Sequence, residues 1–348
     1  MPSDAKARKG TTHKENRMPK TPSQQITYHQ LETNKPEITD EEVINHLQKY
    51  NILQKEVICQ KCGKNRRLYY CSGKWQWYCN KPKCENPVGL RVNNWISKRK
   101  FLLPGILRFL YCWSRQMVHD EIVKNVGCAN STCLDLASSV REVCAWYVYD
   151  RNPTKVIGGK GMIVEVDVKE FGKKMLVLGA VCRETEEKWM VVVPNCESDT
   201  LKCHIDEKVH RESTIVTGRN FEAHCAVYRL DNNNNCVSEE PNAAHSQTIE
   251  RALDSLEELN NKALQWAPRK QWASFVPEWL WRDEIRRKGC ADTFDEILKI
   301  IAEYWPAGAT KSKSTVEGLQ QPHGHEPNSL YNVSNLKEVT CNFPQVAF

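Results

Sequence analysis

Two carboxylates in a stretch typical of a β-strand are the first residues that could do chemistry. The segment MIVEVDVKEF, residues 162–171, is rich in β-branched residues, and its side chains should alternate between two faces. Glu165 and Asp167 then share a face with Ile163, whereas valines occupy the other face. Two interpretations follow: the carboxylates lie on the solvated face of an edge strand, or they are metal ligands held by a rigid strand.

Four cysteines have the spacing of a structural zinc site. Cys59 and Cys62 form a CxxC knuckle, and Cys79 and Cys84 form a second knuckle with four residues between them. An aromatic, strand-like stretch separates the pairs. This layout predicts a zinc ribbon, in which four thiolates close a tetrahedral site and the metal stabilises the fold. Cys71 is interpreted as a bystander in the intervening strand. No apolar signal segment is apparent, so metal ligation and reduced thiols are favoured over disulfides for the 16 cysteines.

Basic residues are concentrated around this ribbon. Residues 55–124 contain fifteen lysines and arginines against four acids, a local net charge of +11, whereas the whole chain carries +6. Such a block favours a polyanionic partner, most often nucleic acid, over a merely soluble surface. The cations that we expect to contact DNA are Arg66, Arg67, Lys98, Arg99 and Lys100. The longest apolar run is too short to span a bilayer, so no membrane partner is expected.

Composition and periodicity divide the chain into five segments. They are a disordered basic tail at 1–38, a short helix plus the ribbon at 39–100, a helical segment at 101–150, a strand-rich core at 157–305 and a disordered tail at 306–348. Thr39 and Glu42 predict a capping box at the start of the short helix. In the helical segment, a turn at Gly127 gives a helix-turn-helix-like layout, although Arg141 is the only cation of its second helix.

The core has the element order of a known α/β architecture. Strands are predicted at 162–168, 175–182, 188–194 and 213–217, with helices from Ser198 and over 246–264. Short connections imply that the first three strands form an antiparallel meander. A meander, a helix, a fourth strand and a later helix is the order of the ribonuclease H-like fold. In that fold three carboxylates meet at two divalent cations. Asp167 on the first strand and Glu250 on the late helix occupy two of those positions.

Several strings resemble one family in order: GGKGMIVEVDVKEF, SDTL, STIVTG, AHSQTIE and EWLWRDEI. They are similar to the core of Merlin-type DDE transposases and related bacterial insertion-sequence transposases, over roughly residues 40–305. The resemblance implies a nuclear protein that binds double-stranded terminal inverted repeats, cleaves strands with water and Mg or Mn, and joins them to target DNA. It implies that Asp167 is the first acid, Glu250 the third and Glu165 a supporting residue. A homo-oligomer is a further expectation.

The chain departs from this family at the second acid. The family carries an aspartate after the fourth strand, whereas this chain has Gly218, which offers no ligand atom. Glu222, four residues on, is the candidate substitute. The helix after Glu250 also differs, because acids that would repel phosphates replace the expected aromatic and basic residues: Asp254, Glu257 and Glu258.

These departures predict a domesticated or decaying transposase that keeps its fold, its zinc ribbon and DNA binding but has lost catalysis. One alternative is an active transposase that recruits another carboxylate. A second alternative is a zinc-ribbon adaptor that binds proteins only. Metal-dependent nicking would identify the active enzyme, and salt-dependent DNA binding would separate the transposase-derived protein from the adaptor.

Overall fold

A computed structural model describes residues 26–33, 37–81, 84, 86–97, 99–172, 175–217, 247–264 and 269–310. The chain forms two compact units, each described by itself. The ribbon unit comprises Met1–Thr132 with Ile297–Ser314, and the core unit comprises Cys133–Glu296 with Thr315–Phe348.

The elements are numbered in chain order. The α-helices are α1 Tyr28–Thr33, α2 Asp40–Lys49, α3 Leu103–Ser114, α4 His119–Val126, α5 Asn130–Ala145, α6 Ser198–Lys208, α7 Gln247–Leu264, α8 Phe275–Arg287 and α9 Thr293–Tyr304. The strands are β1 Arg67–Cys71, β2 Lys74–Tyr78, β3 Val88–Gly89, β4 Ile163–Phe171, β5 Met175–Cys182, β6 Lys188–Val193 and β7 Thr214–Thr217. A π-helical turn, Trp146–Asp150, extends α5, and a 3₁₀-helix, Arg269–Ser274, precedes α8.

The capping box predicted for α2 is confirmed. The Thr39 hydroxyl accepts the Glu42 N–H, and the Glu42 carboxylate accepts the Thr39 N–H at 2.8 Å. Both ends of the exchange satisfy amides that a helix start leaves without intrahelical partners. At the next residue, Asp40 accepts the indole N–H of Trp75 at 2.9 Å, which ties α2 to the ribbon sheet.

The predicted disordered tail, 1–38, is wrong for its described part. Tyr28–Thr33 forms α1, and Leu31 is buried. The Tyr28 ring stacks on Tyr111 of α3 with centroids 5.7 Å apart, and the Arg115 guanidinium lies over both rings. Tertiary contacts with α3 therefore order a segment whose polar composition predicts disorder. Residues 1–25 of this tail lie outside the described residues, as do residues 311–348 of the other.

The helical segment contains the predicted elements. α3 is almost wholly buried, and α4 ends at Gly127, whose φ of 66° is the left-handed conformation that glycine adopts without steric cost. α5 then begins at Asn130, whose side-chain oxygen lies in hydrogen-bond contact with the His119 ring. Arg141, the single cation of α5, is buried.

The core unit contains a mixed four-stranded sheet in the order β6-β5-β4-β7. The meander predicted from the sequence is confirmed, because β4 pairs antiparallel with β5, and β5 pairs antiparallel with β6. β7 pairs parallel with β4. Helices cover both faces: Val164, Val166 and Val168 pack against α6, whereas β5 side chains such as Val177 pack against α7 and α8.

Candidate functional site

The four predicted zinc ligands lie together. Cys59 and Cys62 are on the loop before β1, Cys79 follows β2, and Cys84 precedes β3. Their sulfur atoms all lie within 4.8 Å of one another, and those of Cys62 and Cys79 are 3.5 Å apart. Zinc–sulfur bonds of about 2.3 Å in a tetrahedron place sulfurs about 3.8 Å apart, so the cluster fits a structural zinc ion. Cys71 is not in the cluster, in agreement with its interpretation as a bystander.

The thiols of the cluster differ in acidity. Burial acts to raise the pKa of Cys59, but hydrogen bonds from the backbone N–H groups of Lys61 and Cys62 and from neighbouring thiols lower it to about 6. Burial raises the pKa of Cys84, and the neighbouring sulfurs add to this, to about 12. Ionisation of one thiol thus opposes ionisation of the next. A divalent cation among the four sulfurs would offset this repulsion.

Glu165 is a buried carboxylate that holds the start of α7. Its side chain is 1% exposed, and one oxygen accepts the N–H groups of Thr248 and Ile249 at 2.9 and 3.0 Å. The other oxygen pairs with Arg183 Nε at 2.6 Å. A carboxylate at a helix N-terminus satisfies amides without intrahelical partners and complements the helix dipole. Glu165 therefore positions α7 on the sheet.

Lys169 anchors α7 further along. Its ammonium lies 2.5 Å from Asp254 and 2.7 Å from Glu257, and these contacts raise the pKa of Lys169 although burial opposes the rise. The Asp254 side chain is 63% exposed and that of Glu257 is 32% exposed, so both acids lie on a solvated helix face while they pair with a β4 cation. Glu258 is exposed.

Asp167 lies on the central strand and faces α7. β4 lies between β5 and β7, and Asp167 is fully buried, so the edge-strand interpretation is wrong. Its strand partner Gly179 shares this face. A Cβ added at Gly179 would lie 2.8 Å from the Ile249 side chain, so α7 packs directly on this face. Asp167 is midway between Glu165 and Lys169, which contact the start and the third turn of α7. Glu250 lies between those two contact points along α7.

The remaining acid positions lie outside the described residues. These positions are Gly218 and the candidate substitute Glu222. His245 and Ser246, directly before α7, also lie outside the described residues. β7 ends at Thr217, directly before this segment. Within the described part of the chain, the cysteine cluster is the one group of three or more potential metal ligands that lie close together.

The cations expected to contact DNA have different surroundings. Arg66 is half-buried and donates to the carbonyl oxygens of Trp77 and Asn86, so its guanidinium braces the ribbon. Arg67 and Lys100 are exposed, and Arg99 is half-buried, while Lys98 is outside the described residues. Four further exposed cations of the ribbon were missed: Lys61, Lys64, Lys74 and Lys81.

A basic cleft of about 430 Å³ lies at the β6 edge of the core unit. Its cations are Arg151, Lys155, Lys188, Lys208, Arg287 and Lys288. Five of them form ion pairs with neighbouring acids, and Asp283 alone pairs with both Lys188 and Arg287. Arg151 lies over the Tyr147 ring. By contrast, five exposed cations of the ribbon form no ion pair with another described residue: Lys61, Lys64, Arg67, Lys74 and Lys81.

Compared with models of known protein families and with curated protein sequences, the chain matches none of them. None of the helices in the described part of the chain is both long and apolar enough to cross a membrane. Functional inference therefore rests on the two candidate sites themselves, the cysteine cluster and the carboxylates between β4 and α7.

Proposed function

We propose that the chain is a transposase-derived DNA-binding protein with a ribonuclease H-like core related to Merlin-type DDE transposases. One observation carries the proposal: Asp167 is buried on the central strand, next to a parallel strand, on the face that is covered by α7, the helix that carries Glu250. The Asp167 carboxylate accepts the Val168 N–H at 2.9 Å, and its complete burial favours a functional role over a solvated surface. The nucleus is the compartment that such a function requires.

The arrangement of the core supports this assignment. The sheet order β6-β5-β4-β7, with a parallel β7, is the order that a ribonuclease H-like core requires. Glu165, the supporting residue of the resemblance, acts through α7, because it accepts the first amides of the helix that carries Glu250. Arg183 fixes the Glu165 carboxylate from the opposite side.

The carboxylates of this site would suit Mg or Mn, which prefer oxygen ligands. Two such ions would stabilise the attacking and leaving oxygens of a phosphodiester. Asp167 and Glu250 supply two carboxylates, and Gly218 supplies none at the second position. With this incomplete ligand set we propose that the protein holds at most one ion weakly and does not cleave DNA.

DNA binding is assigned to the ribbon unit. Its exposed cations are free of acidic partners among the described residues, so they can replace counterions on phosphates: Lys61, Lys64, Arg67, Lys74 and Lys81. These contacts are made to the backbone and carry no base-specific readout. We therefore propose binding to duplex DNA with little sequence preference, with zinc as the structural cofactor.

Fluorescence anisotropy with a labelled duplex and the full chain tests this function. The affinity for DNA should fall steeply between low and moderate salt. The double variant Lys61→Gln with Lys64→Gln should release about two fewer counterions, so its plot of log affinity against log salt should have a smaller slope. Lys202→Gln with Arg211→Gln, two exposed cations of the core unit, is the matched control and should leave the salt dependence unchanged.

The same samples distinguish the alternatives. Nicking of a supercoiled plasmid in Mg or Mn would identify an active transposase. An affinity that does not change with salt would favour the protein-only adaptor.

A further inference from the structure

The outer face of the ribbon sheet combines aromatic rings with cations. Along β1 and β2, one face carries buried Leu68, Trp75 and Trp77 and exposed Tyr70, and the alternating residues form the other face: Arg67, Tyr69, Cys71, Lys74, Gln76 and Tyr78. In the antiparallel register Arg67 lies opposite Tyr78, Tyr69 opposite Gln76, and Cys71 opposite Lys74. Residues directly opposite in an antiparallel pair share a face, so these six side chains form one surface, which we call the outer face.

Tyr78 lies along this surface. Its hydroxyl donates to Gln76 Oε1 at 2.9 Å, and Gln76 is two residues back on the same face of the same strand. The ring must therefore extend along the strand rather than stand away from it. The Tyr69 ring meets it edge-on, with centroids 6.0 Å apart and planes at 79°. Two contacts thus hold the Tyr78 ring in one orientation.

Beside Gln76, the neighbouring strand β3 contributes no side chain to this face. Gly89 of β3 lies opposite Gln76, and a Cβ there would meet only Val92, at 3.5 Å, among the described residues. Val92 is itself 43% exposed. The Tyr69 and Tyr78 side chains are half-buried, so part of this aromatic surface is exposed to solvent.

Cations flank the ring at both ends. Arg67, opposite Tyr78, and Lys74, at the hairpin turn, are exposed and form no ion pair with another described residue. Four residue steps separate the two positions along the hairpin, or about 14 Å. An aromatic ring between two unpaired cations is the combination that binds single-stranded nucleic acid, since a base stacks on the ring while flanking phosphates meet the cations.

We propose that the outer face binds unpaired nucleotides, with one base stacked on Tyr78 and the flanking phosphates at Arg67 and Lys74. This inference rests on the proposed DNA binding of the ribbon unit and adds that the ribbon recognises single strands or melted ends. A base inside a duplex is already stacked on its neighbours, so Tyr78 cannot reach its face. Duplex DNA therefore contacts the ribbon cations without the aromatic contribution.

The test compares two probes on the full chain: a labelled oligothymidine single strand and a labelled duplex, at one fixed salt concentration. Tyr78→Leu removes the ring and should weaken single-strand binding about tenfold, while duplex binding changes less than twofold. Tyr78→Phe keeps the ring and should bind the single strand within threefold of the wild type. Tyr70→Leu is the matched control, because Tyr70 is exposed on the opposite face of the same hairpin and should change neither affinity.

Bound zinc, measured on every variant, reports whether the ribbon is folded. Lys74→Gln, at the exposed turn, provides a second variant that should also weaken single-strand binding selectively. If Tyr78→Leu and Lys74→Gln leave single-strand binding unchanged, or reduce both probes equally, the stacking inference is overturned while DNA binding by the ribbon stands. If the wild type binds neither probe, the proposed function fails together with this inference.

Discussion

Glu165 offers the sharpest test of how the site is assembled. Glu165→Gln keeps the shape of the side chain but removes its charge and leaves one carbonyl oxygen to serve three donors. In the wild type those donors are the N–H groups of Thr248 and Ile249 and the guanidinium of Arg183. The change should therefore loosen the start of α7, and with it the placement of Glu250.

The size of the effect follows from these contacts. Hydrogen bonds to a charged group contribute about 1.5–3 kcal/mol each. Arg183 is 26% exposed, so solvent screens its part of the interaction. Because the amide can still accept one hydrogen bond, we expect a loss of about 3 kcal/mol in the local stability of α7, or about a hundredfold in its opening equilibrium.

Hydrogen exchange followed by mass spectrometry measures this opening directly, in peptides that cover Gln247–Leu264. Exchange in these peptides should accelerate about a hundredfold in Glu165→Gln. Glu170→Gln, at an exposed position of the same strand, is the control and should change exchange little. Unchanged α7 exchange in Glu165→Gln would refute the role given to this carboxylate.

Two further predictions concern metal and pH. The double variant Cys79→Ser with Cys84→Ser should lose stoichiometric zinc in purified protein, whereas the control Cys71→Ser should retain it. Full zinc occupancy in the double variant would contradict the ligand assignment. Burial lowers the pKa of His204, so the unfolded state binds the proton more readily and the stability of the core unit should fall as pH drops below about 6.5. Thermal unfolding between pH 7 and 5 should show this loss, and His204→Gln should make it smaller; an equal loss in both proteins would exclude His204 as its source.

Local sequence signals predicted much of the fold. The strand predicted at 175–182 has the bounds found for β5, and the capping box of α2 was predicted from Thr39 and Glu42, because both depend on residues close together in the chain. The cysteine cluster was predictable for the same reason, since each knuckle is a local spacing. The outer face could also have been found, because period-two alternation from Arg67 to Tyr78 separates its residues from those of the opposite face.

Long-range contacts account for what was missed. Glu165 was predicted only as a supporting residue, because its partners lie 18 and 83 or more residues away. The ion pairs of Asp254 and Glu257 were not predicted for the same reason, since their cation, Lys169, is on another element. Helix α1 was not predicted, because the residues next to Leu31 in the sequence are polar and its burial comes from contacts with another helix, α3.

Manganese titration by calorimetry, on the wild type and on Gly218→Asp, tests whether the protein has lost the second ligand of a two-metal site. We expect at most one weakly bound ion in the wild type, because Asp167 and Glu250 supply only two of three carboxylates. Gly218→Asp should restore the missing ligand and tighten manganese binding, with Gly218→Asn as a control that adds volume without charge. If the wild type already binds two ions as tightly as Gly218→Asp, another residue fills the second position, and the inactive-transposase account is contradicted.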